Sequence, residues 1–257
     1  MKVSLDRHNP HIAVITIENT AKMNALTRQM MKELGKLWDD LEADDTRCII
    51  ITGAGERAFC AGADISGDLS ATEDKTAMIN HSLLKTDAYS KPIIAAINGD
   101  CVGGGLELML STDIRCAATT ARFGLPEVKW SIYPFGGATT KLIQQIGHIH
   151  AMDLLLTGRL ISSKEAQKLN LINIALDNEE VMNWALERAE LIAANSPSAI
   201  QAVKTQITSS ICDQVKSREQ LEQLLGDHVR GQPDFTEGTT AFIEKRKPIY
   251  RVSEPCL

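Results

Sequence analysis

No run in this chain is apolar enough for long enough to span a bilayer, and the opening stretch M-K-V-S-L-D-R-H-N-P-H has no signal-peptide apolar core. A basic excess is also missing. With 27 Lys and Arg against 33 Asp and Glu the net charge is −6, which removes the electrostatic case for nucleic acid and requires any basic binding site to be local. The six cysteines (Cys48, Cys60, Cys101, Cys116, Cys212, Cys256) contain no C-x-x-C pair. They read as reduced, mostly buried thiols of a cytoplasmic protein, not as a zinc site. His148 and His150 lie close together with no third ligand near, so no metal site is expected. Internal repeats and low-complexity segments are absent. What remains is 257 residues, 44% hydrophobic and 23% charged, enough for one large domain or one with a small appendage.

A β-branched run marks a strand at Ile12 to Glu18, buried apolar runs mark others at Cys48 to Thr52 and Pro92 to Ile97, and short strands are expected at Ile114 to Ala118 and Ile172 to Leu176. Helical patterns alternate with them. Thr27 is the expected N-cap of a helix from Arg28 to Glu42, and Ser162-Ser163-Lys164-Glu165 opens another as a capping box. Further helices are expected at Ala138 to Gly147, near Ala151 to Thr157, and from Glu179. Strands alternating with helices predict an α/β fold built of parallel units. Ser196 and Pro197 start a new helix as N-cap and first helical residue, followed by amphipathic stretches at Gln214 to Val229 and Thr236 to Arg246. A boundary near Asn195 gives a core of residues 1–195 and a helical region of residues 196–257.

The chain is organised around Asn98 to Glu127. The apolar run Pro92 to Ile97 ends at Asn98-Gly99, and then Gly103, Gly104 and Gly105 open a helix with Leu106, Met109 and Leu110 on its apolar side. Gly104 falls in the first turn, where N–H groups lack intrahelical acceptors and the dipole is positive. Glu107 follows on the same face, and Glu127 ends R-F-G-L-P-E twenty residues later. Taken singly, Glu107 is a first-turn dipole partner and Glu127 a surface acid. Together they point to a cleft, because a Glu between Leu106 and Leu108 is expensive to bury without a task.

A competing pattern lies earlier. Gly53, Gly55 and Ala58 fit the loose dinucleotide pattern G-x-G-x-x-A after a strand, with Glu73 twenty residues beyond Gly53. That reading needs a long helix straight after the glycines. The sequence instead offers another Gly/Ala loop at Phe59 to Asp64, so a nicotinamide cofactor is disfavoured.

Three stretches resemble the crotonase (enoyl-CoA hydratase/isomerase) superfamily: K-P-I-I-A-A-I-N-G-D-C-V-G-G-G-L-E-L from Lys91, F-C-A-G-A-D-I from Phe59, and A-F-I-E-K-R-K-P from Ala241. The likeness runs along essentially the whole chain. It implies a crotonase-like ββα spiral core and a C-terminal helical oligomerisation region that builds trimers, usually paired into hexamers. It implies an acyl-CoA substrate, with coenzyme A as part of the substrate and no metal or redox cofactor. The N–H groups of Ala63 and Gly104 correspond to the oxyanion hole, and Glu107 and Glu127 to the acid and base, with no indication of which is which. The loop carrying Lys22 and Ala25 corresponds to a segment near the CoA, and Ala61, Ala63, Asp64 and Ile65 to the site of its adenine end. Phe242 and Lys245 match residues that reach the CoA of an adjacent subunit. For Lys245 a plain helix C-terminal cation is an equal alternative. Ser66 to Ser90 helps to shape the acyl pocket in the family. Phe135 and Ser131 stand where glycine is common, and Phe135 is expected to narrow or redirect the acyl pocket. The two glutamates favour hydration of a trans-2-enoyl-CoA over isomerisation and over non-catalytic acyl-CoA binding, and dehydration of a modified acyl-CoA stands as the alternative.

Overall fold

The computed structural model describes residues 1–64 and 73–250. Two sheets organise the core. The larger has six strands: β1 (Lys2–Asn9), β2 (Ile12–Glu18), β3 (Cys48–Gly53), β5 (Ile93–Ile97), β7 (Ile114–Ala118) and β10 (Ile174–Leu176), in that spatial order. The smaller has four: β4 (Ala58–Cys60), β6 (Asp100–Val102), β8 (Arg122–Gly124) and β9 (Ile161–Ser162). From β3 to β8, consecutive strands are dealt to alternate sheets. β3, β5 and β7 are parallel neighbours in the first sheet, and β4, β6 and β8, which follow them in sequence, are parallel neighbours in the second. A helix comes after each pair: α2 (Glu73–Ser82), α3 (Gly104–Met109) and α4 (Ala138–Ile146). Three such turns make the ββα spiral.

The long strands follow their sequence pattern. β3 and β5 are buried at every residue, as apolar runs in the middle of a parallel sheet should be. β1 is the exception. It pairs antiparallel with β2 at the edge of the sheet and is partly exposed throughout, so its residues carry no apolar run to announce it. The strands of the small sheet have two or three residues, too few for any period.

Helix α1 (Arg28–Ala43) is capped as expected, with Thr27 Oγ1 accepting from Met30 N at 3.2 Å, an interaction that contributes about 1 kcal/mol. Its buried Trp38 donates from Nε1 to the Ser82 carbonyl at 3.0 Å, which ties α1 to the end of α2. After α5 (His148–Thr157) and α6 (Ser163–Lys168), the long α7 (Asn178–Ala193) lies across β2, β3, β5 and β7. Ser162 caps α6 through Glu165 N at 3.3 Å. The helix expected from Pro197 and the stretch Gln214 to Val229 form one helix of 35 residues, α8 (Pro197–Gly231), with no proline between them. The last helix, α9 (Pro233–Ile243), starts earlier than the apolar pattern suggested, with Pro233 at its first turn. It also ends earlier, so Lys245 lies beyond its C-terminus in the left-handed region at φ 55°. Among the described residues the cysteines are free and buried, and no helix is long and apolar enough to cross a membrane. Burial pushes the Cys60 thiol up to about 12, which makes it inert.

Candidate active site

The dinucleotide alternative fails at the backbone. Ala58 begins strand β4, where that pattern needs a helix. The intervening loop is tied down by two side chains. Asn24 Nδ2 donates to the carbonyls of Ala54 (2.9 Å) and Ala58 (2.7 Å), and Asn98 Nδ2 donates to Gly55 O at 2.5 Å.

The segment after β4 is instead zipped to the loop before α1. Leu26 N donates to Gly62 O at 2.8 Å, Asp64 N to Leu26 O at 2.9 Å, and Ala61 N to Met23 O at 3.0 Å. These bonds bring Lys22, Ala25, Ala61, Ala63 and Asp64 together, and Lys22 Nζ pairs with Asp64 Oδ2 at 2.8 Å. Ile65 and the Glu73 side chain lie outside the described residues. The short ladder uses the amides of Leu26 and Asp64 and leaves the N–H of Ala63, an exposed residue, outside it.

Helix α3 meets this segment at its first turn. Gly103 is its N-cap at φ 58°, ψ −130°, a conformation open only to glycine. Gly104 is the first helical residue, where no intrahelical acceptor exists for its N–H. A Cβ on Gly104 would stand 3.4 Å from Ala63 N, so the two amides border one opening. Such a pair, at the positive end of a helix dipole, can stabilise a developing oxyanion.

Both glutamates converge on that opening. Glu107 is one turn into α3 and 6% exposed. Glu127 sits in a 3-10 turn (Pro126–Trp130), and its Oε1 lies 3.0 Å from where a Cβ on Gly103 would be. Their surroundings differ. Glu107 Oε1 accepts a 2.6 Å hydrogen bond from Gly136 N, whereas Glu127 Oε2 is buried with no hydrogen-bond partner among the described residues. Burial pushes both carboxyls up. For Glu107 the Gly136 N–H and the buried Lys85 and Lys141 ammoniums oppose that push. For Glu127 the neighbouring Glu107 charge adds to it, and its pKa rises to about 8. The Gly136 hydrogen bond and the two ammoniums favour the negative charge on Glu107, and burial beside that charge favours the proton on Glu127.

Gly136 was not singled out in the sequence. The double glycine of P-F-G-G signals a close approach, but not what approaches. A Cβ on Gly136 would stand 2.4 Å from Glu107 Cδ. The neighbouring Phe135 ring lies against α8: a Cβ on Gly226 would stand 1.9 Å from Phe135 Cζ, and the Arg230 guanidinium is 4.5 Å above the ring. Ser131 adopts φ 53°, which explains why glycine suits that position. Phe242 and Lys245 border a separate open cleft of ≈ 790 Å³, together with Lys129, Trp130, Arg246 and Lys247. There Phe242 packs edge-on against Trp130 at 5.2 Å, and Tyr250 donates to Lys129 O at 2.7 Å.

The sequence profile of the enoyl-CoA hydratase/isomerase family matches residues 7–252. The chain is 38% identical over 249 residues to an enoyl-CoA hydratase of Mycobacterium tuberculosis, covering 94% of this chain and 93% of that one. It is 36% identical over 241 residues to a short-chain-enoyl-CoA hydratase of Clostridium acetobutylicum, covering 92% of each. The structure superposes on the crystal structure of a carnitinyl-CoA hydratase from Mycobacterium avium with a TM-score of 0.89 at 29% identity, over 97% of this chain and 98% of that one.

Proposed function

This chain belongs to the enoyl-CoA hydratase/isomerase family, and from that premise we propose that it is a hydratase, adding water reversibly to a trans-2-enoyl-CoA to give a 3-hydroxyacyl-CoA. The observation that carries this reading is the asymmetry of the two carboxyls: Glu107 held by Gly136 N–H, Glu127 with an unpartnered buried oxygen. One is equipped to take a proton and the other to give one.

In this mechanism the thioester oxygen accepts hydrogen bonds from the N–H groups of Ala63 and Gly104. The Glu107 carboxylate takes a proton from water as the water oxygen bonds to C3. The C2–C3 π electrons move toward the thioester, giving an enolate whose charge the two amides stabilise. Glu127 delivers its proton to C2. Transfer of the proton from Glu107 back to Glu127, through solvent, restores the enzyme. The sum is water added across one double bond, complete with two carboxyls and the thioester, so the proposal includes no cofactor beyond the coenzyme A of the substrate. An isomerase needs one acid to move a proton between two carbons, and the second carboxyl would have no task.

Lys22, Ala25, Ala61, Asp64 and Ile65 are assigned to the CoA moiety. Phe242 and Lys245 are assigned to the CoA of an adjacent subunit in a trimer or pair of trimers. The exposed Val203, Ile207, Leu221 and Leu224 of α8 support such docking. A cytoplasmic location is proposed from the reduced, buried cysteines.

The test is loss of the enoyl-thioester ultraviolet absorbance on mixing the protein with crotonyl-, hexenoyl- and decenoyl-CoA. A polar-substituted enoyl-CoA belongs in the set, since the carnitinyl-CoA hydratase is a structural neighbour. Turnover of at least one thioester at about 1–10³ s⁻¹ is the expected outcome. Binding of all of them with no turnover would overturn the reading in favour of a non-catalytic acyl-CoA-binding protein.

A further inference from the structure

A buried ion pair with no part in the chemistry above lies under the same loop. Lys85 Nζ donates to Glu222 Oε1 at 2.7 Å, with both side chains 4% exposed. Lys85 belongs to the segment after α2, and Glu222 to the middle of α8, 137 residues away in sequence. Burying such a pair costs more desolvation than its attraction reliably returns, so two apolar residues would serve packing as well or better. Its position suggests a task. The Lys85 Cγ lies 3.4 Å from where a Cβ on Gly137 would be, and Val215 of α8 touches the same spot at 3.2 Å. Gly137 directly follows the residue whose N–H holds Glu107.

Other charges surround Glu107 on each side. Lys141 of α4 is fixed by Ser111 Oγ at 2.8 Å and the Leu84 carbonyl at 3.0 Å. Glu127 faces Glu107 from the 3-10 turn. Glu219, one turn before Glu222, stands 3.6 Å from Lys85. The charges near Glu107 therefore alternate in sign: Glu107, Lys85 and Lys141, then Glu222.

We propose that the Lys85–Glu222 pair is a positioning device for Glu107, by which α8 fixes the glycine loop that holds this carboxylate and sets the charge it faces. The pair is not catalytic, since it acts only through Glu107. The inference rests on the hydratase reading for its rate measurements. Lys85 opposes the burial of the Glu107 charge, and the Glu222 and Glu107 charges repel one another. The two residues therefore act on Glu107 with opposite sign.

The experiment compares the acid limb of kcat/KM for the wild type, Lys85→Met, Glu222→Gln and the double variant. Loss of the Lys85 charge is expected to move the limb up by about one pH unit, and loss of the Glu222 charge to move it down by less, because burial pushes that carboxyl up to about 7 and leaves it partly protonated across the limb. The double variant returns close to the wild-type limb. Each single change also lowers kcat about tenfold or more, because the loop loses its support. Acid limbs that stay in place in both single variants, or move in the same direction, would overturn the inference. If Lys85→Met does not fold, the isosteric Glu222→Gln decides alone: a downward displacement supports the inference, and an unmoved limb overturns it. If the wild type turns over no enoyl-CoA, the functional reading has failed on its own. The inference is then read from the carboxyl infrared titration of Glu107, assigned by its loss in Glu107→Gln, with the same two directions expected.

Discussion

Glu127→Gln is expected to lower kcat for enoyl-CoA hydration by about 10²–10⁴, with KM nearly unchanged, and Glu107→Gln to do the same. The glutamine side chains keep the size of each carboxyl and remove its proton chemistry. Glu107→Gln loses the base that takes the proton of water, while its amide oxygen can still accept from Gly136 N. Glu127→Gln loses the proton bound for C2. Because the two groups act within one addition, the double variant is expected to be little slower than the slower single variant. Equal or better turnover in either single variant, measured by the same ultraviolet assay, would contradict the paired mechanism. Losses that multiply in the double variant would contradict the claim that the two carboxyls act as a unit.

The second large effect is expected from a residue with no chemistry of its own. Gly136→Ala should reduce kcat by about 10²–10³, because the new methyl would fall 2.4 Å from Glu107 Cδ and 2.5 Å from its Oε2. Either the carboxylate turns away or the loop retreats, and in both cases the 2.6 Å bond from Gly136 N is lost. Overpacking of this kind also destabilises the fold by about 1–3 kcal/mol. Gly231→Ala is the control. At the end of α8 a Cβ meets nothing within 4 Å, so neither melting temperature nor rate should change. Full activity in Gly136→Ala would mean that Glu107 does not need this contact.

The parts of this site that could be read in the sequence are those with a local signature. Pro92 to Glu127 shows a buried strand, three glycines, a helix and two acids, and the structure has β5, the Gly103 turn, α3 and the two glutamates in those places. The strands at Ile12 to Glu18 and Ile114 to Ala118 have the expected bounds. The small sheet was not readable. Phe59 and Cys60 of β4 read as part of a Gly/Ala loop, and Asp100–Val102 has no strand assigned from the sequence. Their pairing is made by backbone groups from distant segments, and residue type does not record it.

Gly136 and Lys85 were missed for a related reason. A glycine shows that space is short, but the group that fills it, Glu107, comes from 29 residues earlier. Lys85 lies in a polar stretch that reads as surface, and only its contact with Glu222 across the fold reveals it as buried. Phe135 was legible as a departure from the family pattern. Its destination, the face of α8 at Gly226, was not, because it depends on how α8 packs against the loop.

The central claim is that the two buried carboxyls are unequal, with the negative charge favoured on Glu107 and the proton on Glu127. The most direct measurement is the pH dependence of kcat/KM for hydration across pH 5 to 10. The account predicts a bell. Its acid limb is the ionisation of Glu107, and its alkaline limb lies near pH 8, where Glu127 loses its proton. A rate that stays level or keeps rising through pH 9 would mean that hydration does not need a protonated Glu127, and would contradict the account.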